Sequence, residues 1–257
     1  MKKIILTILA LLILAVPCFG ALEFNSTNQY VDVGEVFADG SWSEITIAAL
    51  VNTTSTSAPA MVYASYNKST VKGMSFAVSK GRIGFDNLAD LHNRYGWTYN
   101  NPSENLQNKV IVLTVKYDAG WSMKCWLDGA DITAKFSPGS ANEGTVTTIR
   151  SGIASHCIGS QANPTTERSF DGILGDVRIY NKFMSEAEAK TICFSHGNDN
   201  IVDGLVGRWL MDEKPDGTSA SGANSVIDIS GNGNHGTPYN SPIYRSAPVT
   251  ITRPHFH

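Results

Sequence analysis

The sequence predicts an all-β protein, folded as a sandwich or a barrel. Its apolar residues recur in short runs with an alternating pattern, and few stretches show helical spacing. Glycine, asparagine, aspartate and serine separate the runs, and ten runs of this kind follow one another at close spacing. Many short strands joined by turns are typical of sandwiches and barrels.

The candidate strands fall into two groups along the chain. They cover residues 22–24, 29–33, 45–51, 61–66, 74–79 and 82–85, and then 109–117, 121–129, 155–160 and 175–181. Within 109–117, Val110 and Val112 share one face of the strand, whereas Ile111 and Leu113 share the other. We therefore expect this strand to be buried on at least one side.

One segment, SEAEAKTICF from Ser185, predicts a single short helix in the C-terminal region. Ser185 and Glu188 have the S-x-x-E spacing of a capping box, in which each residue satisfies a free backbone amide of the other. Gly197 follows soon afterwards and is a natural stop for the helix.

Residues 1–20 have the pattern of a secretory signal peptide. Two lysines precede an uninterrupted apolar run over residues 4–16, which is shorter than the ~20 residues of a membrane span. We expect cleavage after Gly20 and a secreted, periplasmic or cell-surface protein with no membrane span. Lipidation of Cys18 is the alternative, although Pro17 before it fits that processing poorly.

The remaining length and charge exclude two classes of partner. Without Lys2 and Lys3, 18 basic side chains stand against 23 acidic ones, a formal charge of −5. Such a chain has no basic stripe for nucleic acid and no polybasic patch for a membrane surface. Its length allows one large all-β domain or two small ones.

Three cysteines lie beyond residue 20, namely Cys125, Cys157 and Cys193, and they form no C-x-x-C motif. This spacing excludes the usual zinc sites. Export predicts one disulfide, with the third thiol free or buried. Cys125 and Cys157 both occupy strand-like segments and are candidates for neighbours across a sheet, but the pairing stays open.

Several phrases of the sequence resemble a known family. FDGILGDVRIYNKFMSEAEAKTI at 170–192, CWLDGADIT at 125–133 and ALEFNSTNQYVDVG at 21–34 are similar to the closing strand and helix, the D-G strand and the opening strand pair of laminin-G-like domains. These domains belong to the concanavalin A-like lectin and glucanase superfamily. The resemblance implies a jelly-roll sandwich of two antiparallel sheets.

The tail resembles the phrase with which such domains normally begin. GLVGRWLMDE at 204–213, followed by VIDISGNGNHGT, stands here after the rest of the domain. Residues 201–245 are either a truncated second domain or the displaced first strand and loop of one domain over 21–245. A segment of ~45 residues is about the size at which folding alone becomes rare. We therefore predict a circularly permuted single domain, followed by a loose tail over 246–257.

The glycine-rich run DISGNGNHGT at 228–237 lacks the spacing of a phosphate-binding loop. Asp228, Asn232 and Asn234 offer three side-chain oxygens for one structural calcium ion. The family resemblance adds Asp176 as a fourth ligand. The alternative is a turn in which Asp228 and the asparagines satisfy their own backbone, and both interpretations stay open. We expect His235 to be a surface or packing residue.

The stretch LHNRYGWTYNNPSEN at 91–105 is the candidate ligand site. It is expected to be a long loop carrying His92, Arg94, Tyr95, Trp97 and Tyr99. Aromatic faces stack on sugars while polar groups reach hydroxyls, so the composition suits a glycan. The alternative is that Trp97 and Tyr99 plug the open end of the sandwich.

Catalytic motifs are missing from the sequence. It has no paired carboxylates at the E-x-D-x-E spacing of the superfamily's glucanases, no G-x-S-x-G and no H-E-x-x-H. We therefore expect a secreted, non-enzymatic module that binds a glycan or a protein surface. The alternative is a structural module of a cell surface or virion without a small ligand, and a glycoside hydrolase is the least favoured class.

Overall fold

A computed structural model describes residues 18–56, 60–67, 69–90, 94–138, 146–152, 155–161, 168–195 and 197–248. Within them, sixteen strands form two antiparallel sheets of eight strands each, and one α-helix lies outside the sheets. The apolar faces of the two sheets share one core. The predicted two-sheet sandwich is therefore confirmed.

One sheet carries the helix on its outer face, and we call it the back sheet. Its strands are β1 (Cys18–Asn25), β3 (Glu44–Thr53), β8 (Leu106–Tyr117), β9 (Trp121–Leu127), β10 (Ala130–Asp131), β13 (Asp171–Tyr180), β14 (Leu205–Trp209) and β16 (Ile243–Pro248). They pair in the order β10-β9-β8-β3-β13-β1-β16, and β14 pairs with the second half of β13.

The opposite sheet has no helix on its outer face among the described residues, and we call it the front sheet. Its strands are β2 (Tyr30–Asp32), β4 (Ala60–Ala64), β5 (Gly73–Ser79), β6 (Arg82–Leu88), β7 (Arg94–Asn100), β11 (Phe136–Pro138), β12 (Cys157–Ile158) and β15 (Thr237–Tyr239). Their order is β11-β7-β6-β5-β4-β12-β2-β15. Every strand predicted from the alternating pattern is found in one of the two sheets.

The predicted helix is α1 (Glu186–Ser195), and its capping box is formed. The amide of Ser185 donates to the Glu188 carboxylate at 3.0 Å, and the Glu188 amide donates to the Ser185 hydroxyl at 3.3 Å. Gly197, with a φ of 82°, follows the last turn as expected. Among the described residues, no helix is long and apolar enough to cross a membrane.

Strand β8 shows how the two apolar layers arise from one alternating sequence. Ile111 and Leu113 point into the core between the sheets, whereas Val112 points outward beneath α1. On that outer side Val112 packs in a second cluster with Trp126 and Ile192. The strand is therefore buried on both sides, which fits its nearly continuous apolar run.

The C-terminal segment contributes to both sheets. Strand β14 pairs with β13, β15 with β2, and β16 with β1. Trp209, Val226 and Tyr244 are buried in the shared core. The last strands thus lie beside the first ones, while the circular permutation itself stays a prediction.

Strands β1 and β16 extend three residues beyond the predicted limits of the domain, 21 and 245. β16 continues to Pro248, so the prediction of a loose tail from 246 is wrong for residues 246–248, which pair with residues 18–20 of β1. The remaining tail, 249–257, and residues 1–17 of the predicted signal peptide lie outside the described residues.

Cys125, Cys157 and Cys193 are buried and none of them forms a disulfide. The expectation that Cys125 and Cys157 are neighbours across a sheet is wrong, because Cys125 lies in the back sheet and Cys157 in the front sheet. Burial raises the pKa of the Cys193 thiol to about 12, so this side chain is a packed apolar group rather than a reactive thiolate.

Candidate functional site

The prediction of a long loop over 91–105 is wrong for residues 94–100, which form strand β7 between β6 and β11. His92 and the side chain of Arg94 lie outside the described residues. Tyr95, Trp97 and Tyr99 occupy alternate positions of the strand, so all three project from the same face, toward the core.

Packing holds these aromatic rings between the sheets. Trp97 is 8% exposed and Tyr99 is fully covered. The Tyr95 ring lies 4.4 Å from the Trp97 ring and stacks at 5.4 Å on Trp121, which belongs to the opposite sheet. The Tyr99 hydroxyl donates to Glu104 at 2.8 Å. The arrangement is that of the packing alternative, and it offers a sugar little surface.

The glycine-rich run at 228–237 forms a turn closed around the Asp228 carboxylate. Asp228 is 4% exposed. Its oxygens accept hydrogen bonds at 2.9 Å from the amides of Arg208, Ser230 and Asn234 and from the Ser230 hydroxyl. Carboxylates that satisfy nearby backbone amides in this way are typical of Asx turns.

The neighbouring asparagines fasten the same turn to strand β14. The side-chain amide groups of Asn232 and Asn234 donate to the carbonyl of Val206 at 3.1 and 2.8 Å. The carbonyl of Asn234 accepts the indole N–H of Trp209 at 2.8 Å. His235 accepts the Asp228 amide at its Nδ1, at 3.1 Å, which fits its expected packing role.

Asp176 does not join this turn as a ligand. One carboxylate oxygen lies 2.9 Å from Nε of Arg178 and 2.8 Å from Nε of Arg208. Two guanidinium groups around one carboxylate do not fit a shared cation site, because the ion would face both positive charges. Within the described ranges, no three His, Cys, Asp or Glu side chains gather as metal ligands. Calcium at Asp228, Asn232 and Asn234 stays a prediction.

The outer face of the front sheet carries polar side chains that were not among the site residues predicted from the sequence. Ser75, Asp86 and Gly96 are direct cross-strand partners on β5, β6 and β7. Their neighbours Phe76 and Phe85 point to the core, so Ser75 and Asp86 point away from it. A Cβ at Gly96 would lie 2.5 Å from a carboxylate oxygen of Asp86, so the glycine leaves room for that carboxylate.

A cavity of about 200 Å³ opens on this outer face. Its lining combines strand residues with residues of the adjoining loops: Met61, Tyr66, Val71, Ser75, Asp86, Leu88 and Arg168. Val71 has a φ of 52°, a conformation that a β-branched residue rarely adopts. Strain of this kind is found where surrounding structure fixes a residue at a binding surface.

The lining offers complementary chemistry within one cavity. Asp86 supplies acceptor oxygens, Arg168 supplies donors, and Ser75 supplies a hydroxyl that does both. Met61, Val71, Leu88 and the ring of Tyr66 supply apolar walls, and the Tyr66 hydroxyl adds one more donor and acceptor. A ligand with several hydroxyls and one apolar face would satisfy both parts of this cavity.

One signal in the sequence points to this site. In RIGFDNL, Ile83 and Phe85 mark the core face, so Asp86 must lie on the other face of a strand. The register that sets Gly96 beside Asp86, and the loops that bring Tyr66 and Arg168 to the cavity, required the tertiary structure.

Solved structures share this fold at low sequence identity. A Bacteroides ovatus protein provisionally described as carbohydrate-binding matches with a TM-score of 0.58 and 18% identity, over 91% of this chain. This chain spans 62% of the length of that protein. At such identity the likeness shows the fold alone.

Two further structures are similar over about two thirds of the chain. A heptameric SAP-like pentraxin from Limulus polyphemus matches with a TM-score of 0.47 and 10% identity, over 68% of this chain and 82% of its own. The CBM40 of a Ruminococcus gnavus IT-sialidase, bound to α2,3-sialyllactose, matches with a TM-score of 0.46 and 13% identity, over 69% of this chain and 98% of its own.

Comparison with curated proteins gives no match. A family model for laminin-G domains, described as concanavalin A-like lectin/glucanases superfamily, matches residues 25–190. This match covers more than half of the chain and includes strands of both sheets. The chain therefore belongs to the laminin-G family of the concanavalin A-like lectin/glucanases superfamily.

Proposed function

We propose that this protein is a carbohydrate-binding module without catalytic activity, and that it binds glycan in the cavity on the outer face of the front sheet. The observation that carries the proposal is the lining of that cavity, which includes a carboxylate, Asp86, a guanidinium, Arg168, and an aromatic ring, Tyr66. The family is one of lectin-like sandwiches, and the Bacteroides ovatus protein of the same fold is described as carbohydrate-binding.

The chemistry of a sugar matches the two kinds of wall. A carboxylate accepts hydrogen bonds from vicinal hydroxyls, and a guanidinium donates to hydroxyl or carboxylate oxygens. The C–H face of a pyranose is apolar and packs on an aromatic ring or on side chains such as Met61. A site that offers both binds one orientation of a sugar and rejects purely apolar ligands.

A glycan array followed by titration calorimetry tests the proposal. Asp86→Asn should weaken retention of the bound glycan about tenfold or more, because a hydrogen bond to a charged group contributes about 1.5–3 kcal/mol. Tyr66→Ala should also weaken retention, because it removes the aromatic surface on which the sugar packs. The control is Asp118→Asn, which removes a carboxylate whose side chain is 78% exposed on the turn between β8 and β9. It should bind like the wild type.

Two outcomes would contradict the proposal. If the array shows no binding to any glycan, the alternative of an assembly module without a small ligand would be favoured. Undiminished binding by both cavity variants would move the glycan to another surface. Thermal melting of each variant separates lost binding from lost folding.

Two proposals rest on the sequence and need their own measurements. We propose export, with processing near Gly20, and mass spectrometry of the mature N terminus tests it. We also propose one structural calcium ion at Asp228, Asn232 and Asn234. A rise in melting temperature with calcium that a chelator reverses would support the ion. An unchanged melting temperature would favour the alternative, a turn in which Asp228 and the asparagines satisfy the backbone without an ion.

A further inference from the structure

Two tyrosines form an exposed aromatic pair on the outer face of the front sheet, away from the cavity. Tyr30 of β2 and Tyr239 of β15 are direct cross-strand partners, and their neighbours Val31 and Pro238 are buried. Their rings stack with centroids 4.7 Å apart and planes within 8° of parallel. Tyr239 is 43% exposed, although large aromatic side chains of this protein are mostly buried.

Hydrogen bonds join the two chain segments that carry the tyrosine pair. The buried side chain of Gln29 donates from Nε2 to the carbonyls of Asn240 and Ser241, both at 3.0 Å. The side-chain amide of Asn240 in turn donates to the carbonyl of Asn28 at 2.6 Å. These bonds join the turn before β2 to the turn after β15, so the backbone that carries the two rings is ordered without a ligand.

Polar groups stand next to the rings on the same face. Asp32 and Thr237 are cross-strand partners two residues from the tyrosines, so they share the outer face with them. The Tyr30 hydroxyl is protonated at neutral pH, as in any tyrosine, and can donate a hydrogen bond at the edge of this surface. A flat apolar surface bordered by a carboxylate and hydroxyls is complementary to a sugar ring, whose C–H face is apolar and whose hydroxyls lie at its edge.

We propose that Tyr30 and Tyr239 form a second carbohydrate subsite, which stacks the apolar face of a sugar ring while Asp32 and Thr237 face its hydroxyls. The inference rests on the proposed function and extends it to a longer ligand. The tyrosine pair and the cavity share one sheet face. From β6 to β15 the sheet has five strand-to-strand steps, or about 24 Å. We therefore expect an oligosaccharide to bind this face more tightly than a monosaccharide.

Calorimetry with the full chain tests the subsite. The probes are mono- to hexasaccharides derived from cellulose, xylan, mannan and chitin. Tyr239→Ala should weaken binding of the longest bound probe about tenfold, whereas Tyr239→Phe, which keeps the ring, should stay within about twofold of wild type. The matched control is Phe194→Ala, because Phe194 is a 47% exposed aromatic residue on α1, on the opposite side of the sandwich.

A second measurement locates the contact without a mutation. Nitration of tyrosines by tetranitromethane, mapped by mass spectrometry, should modify Tyr239 in the free protein, and the bound oligosaccharide should protect it. Wild-type affinity of Tyr239→Ala, equal effects of Tyr239→Ala and Tyr239→Phe, or no protection of Tyr239 would overturn the subsite.

The two glycan proposals fail in different ways. Loss of binding in Tyr239→Ala together with intact binding in Asp86→Asn and Tyr66→Ala would support the tyrosine subsite and reject the cavity. The reverse pattern would support the cavity and reject the subsite. Binding of none of the probes, with nitration of Tyr239 unchanged, would reject both.

Discussion

At the scale of single residues, His156 is a buried polar group that the sequence did not single out. Its Nδ1 accepts the amide of Val36 at 3.3 Å and lies 2.8 Å from the Tyr63 hydroxyl. Its Nε2 lies 3.0 Å from the Ser151 hydroxyl. Because the amide can only donate, Nδ1 is the acceptor and Nε2 carries the proton, so the ring is neutral and satisfied.

This histidine makes stability depend on pH. Burial lowers the pKa of His156 to about 3, against about 6.5 in an unfolded chain. Between these values the unfolded state binds a proton that the native state does not. The free energy of unfolding should therefore fall as the pH drops below about 6.5, by at most about 1.4 kcal/mol per pH unit from this residue.

Urea unfolding between pH 7 and pH 4 measures the effect. The variant His156→Gln, which cannot gain this proton, should show a shallower loss over the same range. Identical slopes in the variant and the wild type would show that another group controls the pH dependence.

Substitution of Trp97 distinguishes a role in packing from a role in ligand binding. Trp97→Ala should lower the free energy of unfolding by about 3–5 kcal/mol, because it leaves a cavity between the sheets. Thr98→Ala, on the exposed face of the same strand, should change it by about 0.5 kcal/mol or less. Chemical denaturation measures both, and an unchanged midpoint in Trp97→Ala would contradict the packing role.

At the scale of elements, a bulge in β13 lets this strand pair with two different strands, one after the other, along the same edge. The register with β3 shifts between Gly175 and Arg178, and Asp176 within this interval has a φ of 41°. Before the bulge β13 pairs with β1, and after it with β14. The bulge also carries Asp176 to the side chains of Arg178 and Arg208.

The ion pairs at this bulge join three parts of the fold. Arg178 contacts Asp176 and, at 2.8 Å, Asp199 in the segment after α1, while Arg208 belongs to β14. Removing Asp176 would leave two guanidinium groups, Arg178 and Arg208, with one carboxylate, Asp199, so one positive charge would lose its partner. Asp176→Ala should therefore lower the free energy of unfolding by about 3–5 kcal/mol.

The control for this change is Asp118→Ala, since Asp118 is exposed and lies 3.5 Å from Lys116. Exposed pairs contribute about 0–1 kcal/mol. Denaturant titration of both variants measures the contrast. Similar small losses in the two variants would mean that the buried network does not stabilise the fold.

Local pattern predicted ten of the sixteen strands, and β7 is the longest of those that it missed. Strands such as β3 and β8 are rich in valine, isoleucine and leucine, so their alternation is clear. Strand β7 reads RYGWTYN, in which tyrosine and tryptophan alternate with glycine, threonine and asparagine. The alternation is present, but the turn-forming residues around it favoured a loop. Pairing with β6 and β11 decided the outcome.

At the scale of the whole molecule, the final strands complete both sheets. Removing residues 201–257 would leave Val177–Tyr180 of β13 without β14 and would expose the edges of β1 and β2. It would also remove Trp209 and Tyr244 from the core. Unpaired edges are templates for association with other chains.

The truncated protein should therefore aggregate and lose cooperative unfolding. Size-exclusion chromatography and thermal melting measure these two properties. A deletion of residues 249–257, which keeps every described strand, is the control. A truncated protein that stays monomeric and melts cooperatively would show that residues 201–257 are dispensable.

The sequence by itself determined the fold class, most of the strand segments, the capped helix and the family, because these depend on local alternation and short phrases. Tertiary structure decided which face of each strand is accessible and which side chains meet. It placed the aromatic residues of β7 between the sheets, set Asp86 beside Gly96, and brought Tyr30 onto Tyr239 from opposite ends of the chain. Such contacts depend on the register of the strands and on which strands pair. Alternation of apolar and polar residues along one strand specifies neither the register nor the partner.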